Sequence, residues 1–350
     1  MKFEVLESPS HELVVLGHDD SFQACIAIHS TKLGPALGGI RMKYYEDPTG
    51  MVTDALKLSE GMTYKNAVAG LPFGGGKSTI LASHWTKEVA AKYATLLNYV
   101  NEELGVSYIG APDMNTNNEC MKDIQEAGSV YCFYDEGGGD CSDSTAMGVF
   151  QSIQAISTFV GVTGKDFTVN IEGLGKVGTG VLKLCAEEGW DVCVSDINTD
   201  HARALAGYYE TAFSPPEDIK YLDGVYCPCA LGETVNKDFV ENSLARAVCG
   251  AANNQLTSID VGMLLASRNK LLIPDFVANS GGVIAIGVAL EQGASSGFGL
   301  ANSNTKERVS FIRKQASSLL LAQTTQVETR NAQLLAMSVA QGILENKDDT

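Results

Sequence analysis

Residues 167–196 read FTVNIEGLGKVGTGVLKLCAEEGWDVCVSD, and this stretch limits the possible folds more than any other. An apolar run precedes Gly173-x-Gly175-x-x-Gly178, then comes a helix-compatible segment and a second apolar run ending at Asp196. That order is strand, glycine turn, helix, strand, a βαβ unit that requires a parallel sheet covered by helices. The glycines allow a tight turn, close approach by a pyrophosphate and a helix N-terminus aimed at its charge. Asp196 stands 23 residues after Gly173, where a carboxylate accepts from ribose hydroxyls and repels a 2′-phosphate. The spacing predicts a dinucleotide site that prefers NAD over NADP. Two blander readings compete: a glycine turn used only for packing, and an aspartate that merely opens the turn before Asn198.

One βαβ domain does not use up 350 residues, and at ~150 residues per domain the chain divides into two. The first half offers strands at HELVVLG and FQACIAIHS, a turn-rich KLGPALGG, and a helix over MVTDALKLSEGMTYKNAVAG. A glycine run, a strand at STILAS and a helix across 86–103 follow. The tail from 305 to 345 has helical character and ends in the charged ENKDDT. No window approaches the ~18 uncharged apolar residues of a membrane span, and MKFEVLESPS lacks the apolar core of a secretory leader. Nine scattered cysteines, several inside apolar runs, imply reduced thiols and a cytoplasmic setting. Cys227-x-Cys229 lacks the second cysteine pair or clustered histidines that a metal site needs, so no metal is expected. A net charge of −17 opposes binding to nucleic acid or anionic lipid.

GGGKST at 74–79 resembles the core of a phosphate loop, but G-x-x-x-x-G-K-[ST] would need glycine at position 71, which is Leu71. The nearest glycine, Gly70, is one residue too far, and an ATP reading fails on that count. Lys65 and Lys77 stand 12 residues apart among small and apolar neighbours. An ammonium there is desolvated and its pKa falls, which suits an acid/base catalyst, while a second lysine that stays charged can hold a carboxylate. Asp113, in GAPDMNT, supplies a complementary carboxyl group unless it only caps a turn.

TKLGPALGGIRM, LSEGMTYKNAVAGLPFGGGKSTI, GAPDMNTN, EGLGKVGTGVL, CPCALGETVN, CGAANNQL and IPDFVANSGGVIAIG run through most of the chain. In this order they resemble the glutamate/leucine/phenylalanine/valine dehydrogenase family, and within it the leucine and phenylalanine enzymes. The resemblance implies an α/β chain with a substrate-binding, catalytic and oligomerisation domain over 1–140. A Rossmann-like NAD-binding domain over 141–320 and a helical tail over 321–350 would follow, with a cleft between the domains. It further implies Lys77 as the catalytic lysine, Asp113 as its proton relay and Lys65 as the grip on the substrate α-carboxylate. Gly38 and Gly39 would lie along the substrate. Leu37, Ala111, Val283 and Ile286 would line its side-chain pocket.

Cofactor contacts would fall on Gly173, Gly175, Lys176, Val177, Gly178, Asp196, Thr145 and Ala230. Asn253 and Asn254 match the asparagines that orient cofactor and substrate, Asn253 being expected at the cofactor and Asn254 at the substrate although the sequence leaves the order open. Glu172 stands where relatives usually have glutamine, Pro112 precedes the aspartate where leucine enzymes tend to be acidic, and GGGDCSDST is unusually glycine-rich. These departures touch substrate range rather than the reaction. The implied activity is NAD-dependent, reversible oxidative deamination of an apolar L-amino acid to the 2-oxo acid and ammonia, by a homo-oligomer. Leucine or another branched-chain substrate is favoured and an aromatic one comes second. Two rivals come from other classes: a catalytically silent NAD-binding regulator, and the nucleotide-phosphate protein that GGGKST suggests despite its spacing.

Overall fold

The computed structural model describes residues 1–137, 139–293, 298–325 and 331–345. The chain forms two compact units, one of Met1–Gly139, Ala289–Phe298 and Ala340–Thr350, the other of Asp140–Val288 and Gly299–Val339.

In the first unit, β1 (Lys2–Val5), β2 (Leu13–Asp19), β3 (Phe22–Ser30) and β4 (Ala36–Lys43) precede α1 (Pro48–Val68). Then come β5 (Gly74–Leu81), α2 (Lys87–Asn98), β6 (Tyr108–Pro112) and α3 (Asn118–Glu126). The strands form a mixed sheet in the order β1-β2-β3-β5-β4-β6, with β4 parallel to both its neighbours. Ile26, Ile28, Ile40 and Ile80 pack against Tyr93, Leu97, Met121 and Ile124, so α2 and α3 cover one face. On the other face Cys25 and Ala27 meet Met51 and Ala55 of α1. That helix begins where Asp47 Oδ1 accepts from the Gly50 N–H and Pro48 occupies the first turn.

Two expectations need correction here. The segment predicted as a turn, KLGPALGG, supplies half of β4, and the glycines before Lys77 lie within β5 rather than in a loop. Strands usually avoid glycine because it packs nothing. Here the missing side chains are the reason for the choice. A Cβ on Gly75 would collide with Thr63 of α1, and one on Gly76 would come 2.7 Å from the Tyr108 ring. Helix α3 had no counterpart in the sequence reading.

The second unit opens with α4 (Ser142–Val160) and the predicted βαβ, formed by β7 (Thr168–Glu172), α5 (Lys176–Glu187) and β8 (Asp191–Ser195). It continues through α6 (Thr199–Tyr208), β9 (Ala212–Phe213), β10 (Gly224–Pro228), α7 (Lys237–Asn242), β11 (Ala245–Val248), α8 (Ile259–Ser267) and β12 (Leu271–Leu272). Helices α9 (Asp275–Ala278), α10 (Gly281–Gln292), α11 (Ser303–Thr325) and α12 (Ala332–Glu345) follow. All strand pairs are parallel, in the order β12-β11-β10-β7-β8-β9. Counted from β7, this is the 3-2-1-4-5-6 order of a doubly wound dinucleotide-binding sheet, whose switch point lies between β7 and β10. Of the predicted tail, residues 326–330 and 346–350 lie outside the described residues. Among the described residues no helix is long and apolar enough to cross a membrane.

Candidate functional site

In the first unit the pleat brings the predicted residues to one sheet face. Side chains alternate along a strand, so Leu37, Gly39 and Arg41 of β4, Lys77 of β5, and Ala111 with Asp113 at the end of β6 point to the α1 side. Gly39 lies opposite Ala111 in the ladder, and Leu37 opposite both Gly75 and Ile109. Lys77 Nζ meets Asp113 Oδ2 at 2.9 Å, with only 6% of the lysine side chain exposed. A Cβ on Gly39 would come 2.6 Å from Asp113 Cβ and 2.8 Å from Lys77 Nζ, so glycine there is a condition of the pair. Leu37 and Ala111 are buried beside it. Lys65 is half-buried in the last turn of α1, next to Asn66, whose amide donates to the carbonyls of Leu37 and Gly74.

Arg41 completes this group, and the sequence reading missed it. Its Nε donates to Asp113 Oδ2 at 2.9 Å, and Nη1 lies 3.4 Å from Asp54 Oδ2, which also accepts from the Tyr45 hydroxyl at 2.8 Å. Burial alone would raise the Asp113 pKa, but Lys77 and Arg41 outweigh it and hold the carboxyl well below its usual range. Lys77 goes the other way. Burial pulls its pKa below the ordinary lysine value, Asp113 resists the shift and Arg41 adds to it. The loop after Asp113 is fixed as well. The Asp113 N–H donates to Thr116 Oγ1, which donates to the Ile40 carbonyl, and the Asn115 amide donates to Met42 O. On the opposite face the Tyr108 hydroxyl donates to the Gly38 carbonyl.

In the second unit the glycine turn leaves β7 at the switch point. Gly173 has φ +94°, in the left-handed region that favours glycine, and a Cβ there would meet Ala230. A Cβ on Gly178 would overlap the Gly173 carbonyl, which is the close helix-to-turn packing expected of the third glycine. Gly175 caps α5 and faces open space. Val177 is half-buried. The Lys176 ammonium is engaged by Asp140 at 2.6 Å. Asp196 Oδ2 accepts from the Leu174 N–H at 2.7 Å and Oδ1 from the Asn198 N–H at 2.9 Å. The carboxylate therefore both opens the turn before Asn198 and braces the glycine turn.

Thr145 Oγ1 donates to the Cys141 carbonyl, and a Cβ on Gly282 would come 2.7 Å from Thr145 Oγ1. Val283 and Ile286 stand one turn apart on α10, the first half-buried and the second buried. Asn253 and Asn254 are exposed after β11. Asn253 Oδ1 accepts from the Asn279 amide at 2.8 Å, whereas Asn254 has φ +53° and donates its N–H to Asp275 Oδ2 at 2.9 Å. Glu172 accepts from the Tyr226 hydroxyl at the end of β7. Among the described residues no three His, Cys, Asp or Glu side chains are grouped to hold a metal ion.

Residues 13–129 match the family model described as Glu/Leu/Phe/Val dehydrogenase, dimerisation domain. Residues 198–346 match the model described as Glutamate/Leucine/Phenylalanine/Valine dehydrogenase. The chain belongs to this family. A phenylalanine dehydrogenase of Caldalkalibacillus thermarum is 34% identical over 291 residues, covering 79% of this chain and 78% of the relative. A valine dehydrogenase of Streptomyces albus is 38% identical over 294 residues, covering 79% of each. The crystal structure of L-tryptophan dehydrogenase from Nostoc punctiforme superposes with a TM-score of 0.80 at 28% identity, covering 97% of this chain and 98% of that one. Family membership makes the chain an oxidoreductase of the amino acid dehydrogenase type, and enzymes of this family depend on a pyridine nucleotide.

Proposed function

We propose that the protein catalyses reversible, NAD-dependent oxidative deamination of an apolar L-amino acid, with leucine or another branched-chain substrate preferred over aromatic ones. The Lys77–Asp113 pair carries this reading, since it sets a lysine of lowered pKa against a carboxylate whose own pKa is depressed, on a glycine-cleared sheet face.

The residues of the second unit fit a dinucleotide. An open glycine at the N-terminus of α5, a left-handed Gly173 and a carboxylate at the end of β8 are what a pyrophosphate and a ribose diol require. Gly175, Lys176 and Val177 would present backbone N–H groups to the pyrophosphate, Ala230 would border it, and Thr145 and Asn253 would orient the ring amide. A bound nicotinamide supplies the hydride acceptor for the substrate Cα. Lys65 holds the substrate carboxylate, while Gly38 and Gly39 let the substrate lie against the β4 backbone. In its neutral form Lys77 takes the proton from the water that attacks the substrate's imine carbon. Asp113 receives and returns protons at the nitrogen. The overall balance is amino acid, NAD⁺ and water to 2-oxo acid, ammonia, NADH and a proton.

The direct test is NADH formation with each common L-amino acid at alkaline pH; no turnover with any apolar substrate would refute the reading. Asp196 also predicts discrimination between cofactors. NAD is expected to exceed NADP in kcat/KM by about tenfold or more, and Asp196→Ser to narrow that gap. Equal values in the unaltered protein would remove Asp196 from this role.

Leu37 and Ala111, on one face of the first unit's sheet, are proposed to line a side-chain pocket. One methylene in such a pocket is worth about 1–3 kcal/mol. Ala111→Val is accordingly expected to depress kcat/KM for bulky substrates about ten-fold more than for alanine. A common factor for every substrate would show that Ala111 does not face the side chain. Assembly as a homo-oligomer through the first unit, and a cytoplasmic location, complete the proposal.

A further inference from the structure

Cys227 and Cys229 have no part in the proposed chemistry. Cys227 is fully buried in β10, which pairs with β7 on one side and β11 on the other. Cys229 follows the strand and is half-buried. The two Sγ atoms are 3.7 Å apart. With Cys227 as donor, the S–H···S contact raises the Cys227 thiol and draws the Cys229 thiol below its ordinary pKa.

Cys229 is also tied to the glycine turn. Its N–H donates to the Glu172 carbonyl at 2.7 Å, one residue before Gly173. Its Cβ lies 3.3 Å from where a Gly178 Cβ would stand, and the next residue, Ala230, occupies the space beside Gly173.

We propose that Cys227 and Cys229 form a peroxide-sensitive thiol pair whose disulfide weakens dinucleotide binding at the adjoining glycine turn. Hydrogen peroxide is the oxidant. The Cys229 thiolate attacks one peroxide oxygen, the O–O bond breaks, and sulfenic acid and hydroxide form. The Cys227 thiol then displaces the sulfenic hydroxyl as water, leaving the S–S bond; two thiols have lost two electrons and two protons to one peroxide.

A disulfide requires the sulfurs to close from 3.7 Å to about 2.05 Å. Cys227 lies opposite Ile171 in the β7 ladder and cannot shift without breaking strand pairing. Whatever part of the closure side-chain rotation does not supply falls to the Cys229 backbone, which carries Ala230 against a Gly173 that already has no room for a side chain. Two sulfurs already 3.7 Å apart, one in a half-buried residue after the strand and the other fully buried within it, are an arrangement in which a sulfenic acid at the first is resolved by the second. The functional consequence rests on the dinucleotide reading of the turn, whereas the bond itself does not.

The test treats the full-length protein with hydrogen peroxide, maps the bond by peptide mass and follows NADH binding by fluorescence. Expected are loss of two alkylatable thiols at Cys227 and Cys229, an NADH Kd raised about tenfold, and recovery with dithiothreitol. Cys227→Ala, and Cys227→Ser should the alanine variant fold poorly, should keep the reduced-state Kd in peroxide. No bond, a bond between other cysteines, or a bond without change in Kd overturns the proposal. If the reduced protein binds no NADH, the functional half falls together with the dinucleotide reading. A missing bond with normal NADH binding overturns the thiol pair alone.

Discussion

Lys77→Ala is expected to lower kcat about 10²–10⁴-fold while NADH affinity stays within about twofold of the unaltered protein. The size follows from the task assigned to the amine: it moves a proton in the transition state, and water replaces a positioned base poorly. NADH affinity should survive because the glycine turn and Asp196 belong to the second unit. The fold should survive because Asp113 keeps Arg41 at 2.9 Å as a counter-charge when the lysine is gone. Stopped-flow or steady-state kinetics beside NADH fluorescence would check both halves. Wild-type kcat, or loss of NADH affinity in a folded variant, would show that the lysine has another role. In the unaltered enzyme the deamination rate should climb with pH as the pair gives up its proton. Because burial has lowered the Lys77 pKa, the plateau should arrive below the ordinary lysine value of ~10.4.

How much of this could be read from residues alone depends on whether local pattern and tertiary contact agree. The βαβ around Gly173 was legible because two of its glycines answer local demands, a positive φ at Gly173 and a backbone-tight contact at Gly178. The Lys77–Asp113 pairing was legible as residue types, since an isolated lysine in an apolar, glycine-rich setting calls for a counter-charge. Its framework was not. Gly38 and Gly39 look like turn residues, and their presence in β4 reflects Lys77, Asp113 and Gly76 pressing on the strand from elsewhere in the chain. That misreading hid Arg41. Once β4 is a strand, period two from Gly39 puts Arg41 on the same face, and GGIRM becomes the signal. The link from Arg41 through Asp54 to Tyr45 crosses from β4 to α1, and no local spacing announces it.

Asp113→Asn should be the most destabilising single change at the site, by about 3–5 kcal/mol if Lys77 stayed charged, because a buried cation would lose its nearest anion. Arg41 suffers less, since Asp54 remains 3.4 Å away. The lysine can escape by losing its proton, and the pH dependence follows from that. With Asp113 gone, the influence that raises the Lys77 pKa is lost while burial and Arg41 still lower it. Between this lowered folded value and the unfolded value of ~10.4, the unfolded chain binds more protons than the folded one, so stability of the variant rises with pH. In the unaltered protein the ionised Asp113 adds stability above the unfolded carboxyl pKa of ~3.9. That contribution disappears as pH falls through the depressed folded value. Urea unfolding of both proteins from mildly acidic to alkaline pH should show a gap that narrows as pH increases. Lys77→Met combined with Asp113→Asn should recover part of the loss, since the orphaned charge is then absent and the stem still packs. A gap independent of pH, or a double variant less stable than Asp113→Asn, would mean that Lys77 and Asp113 are not electrostatically paired.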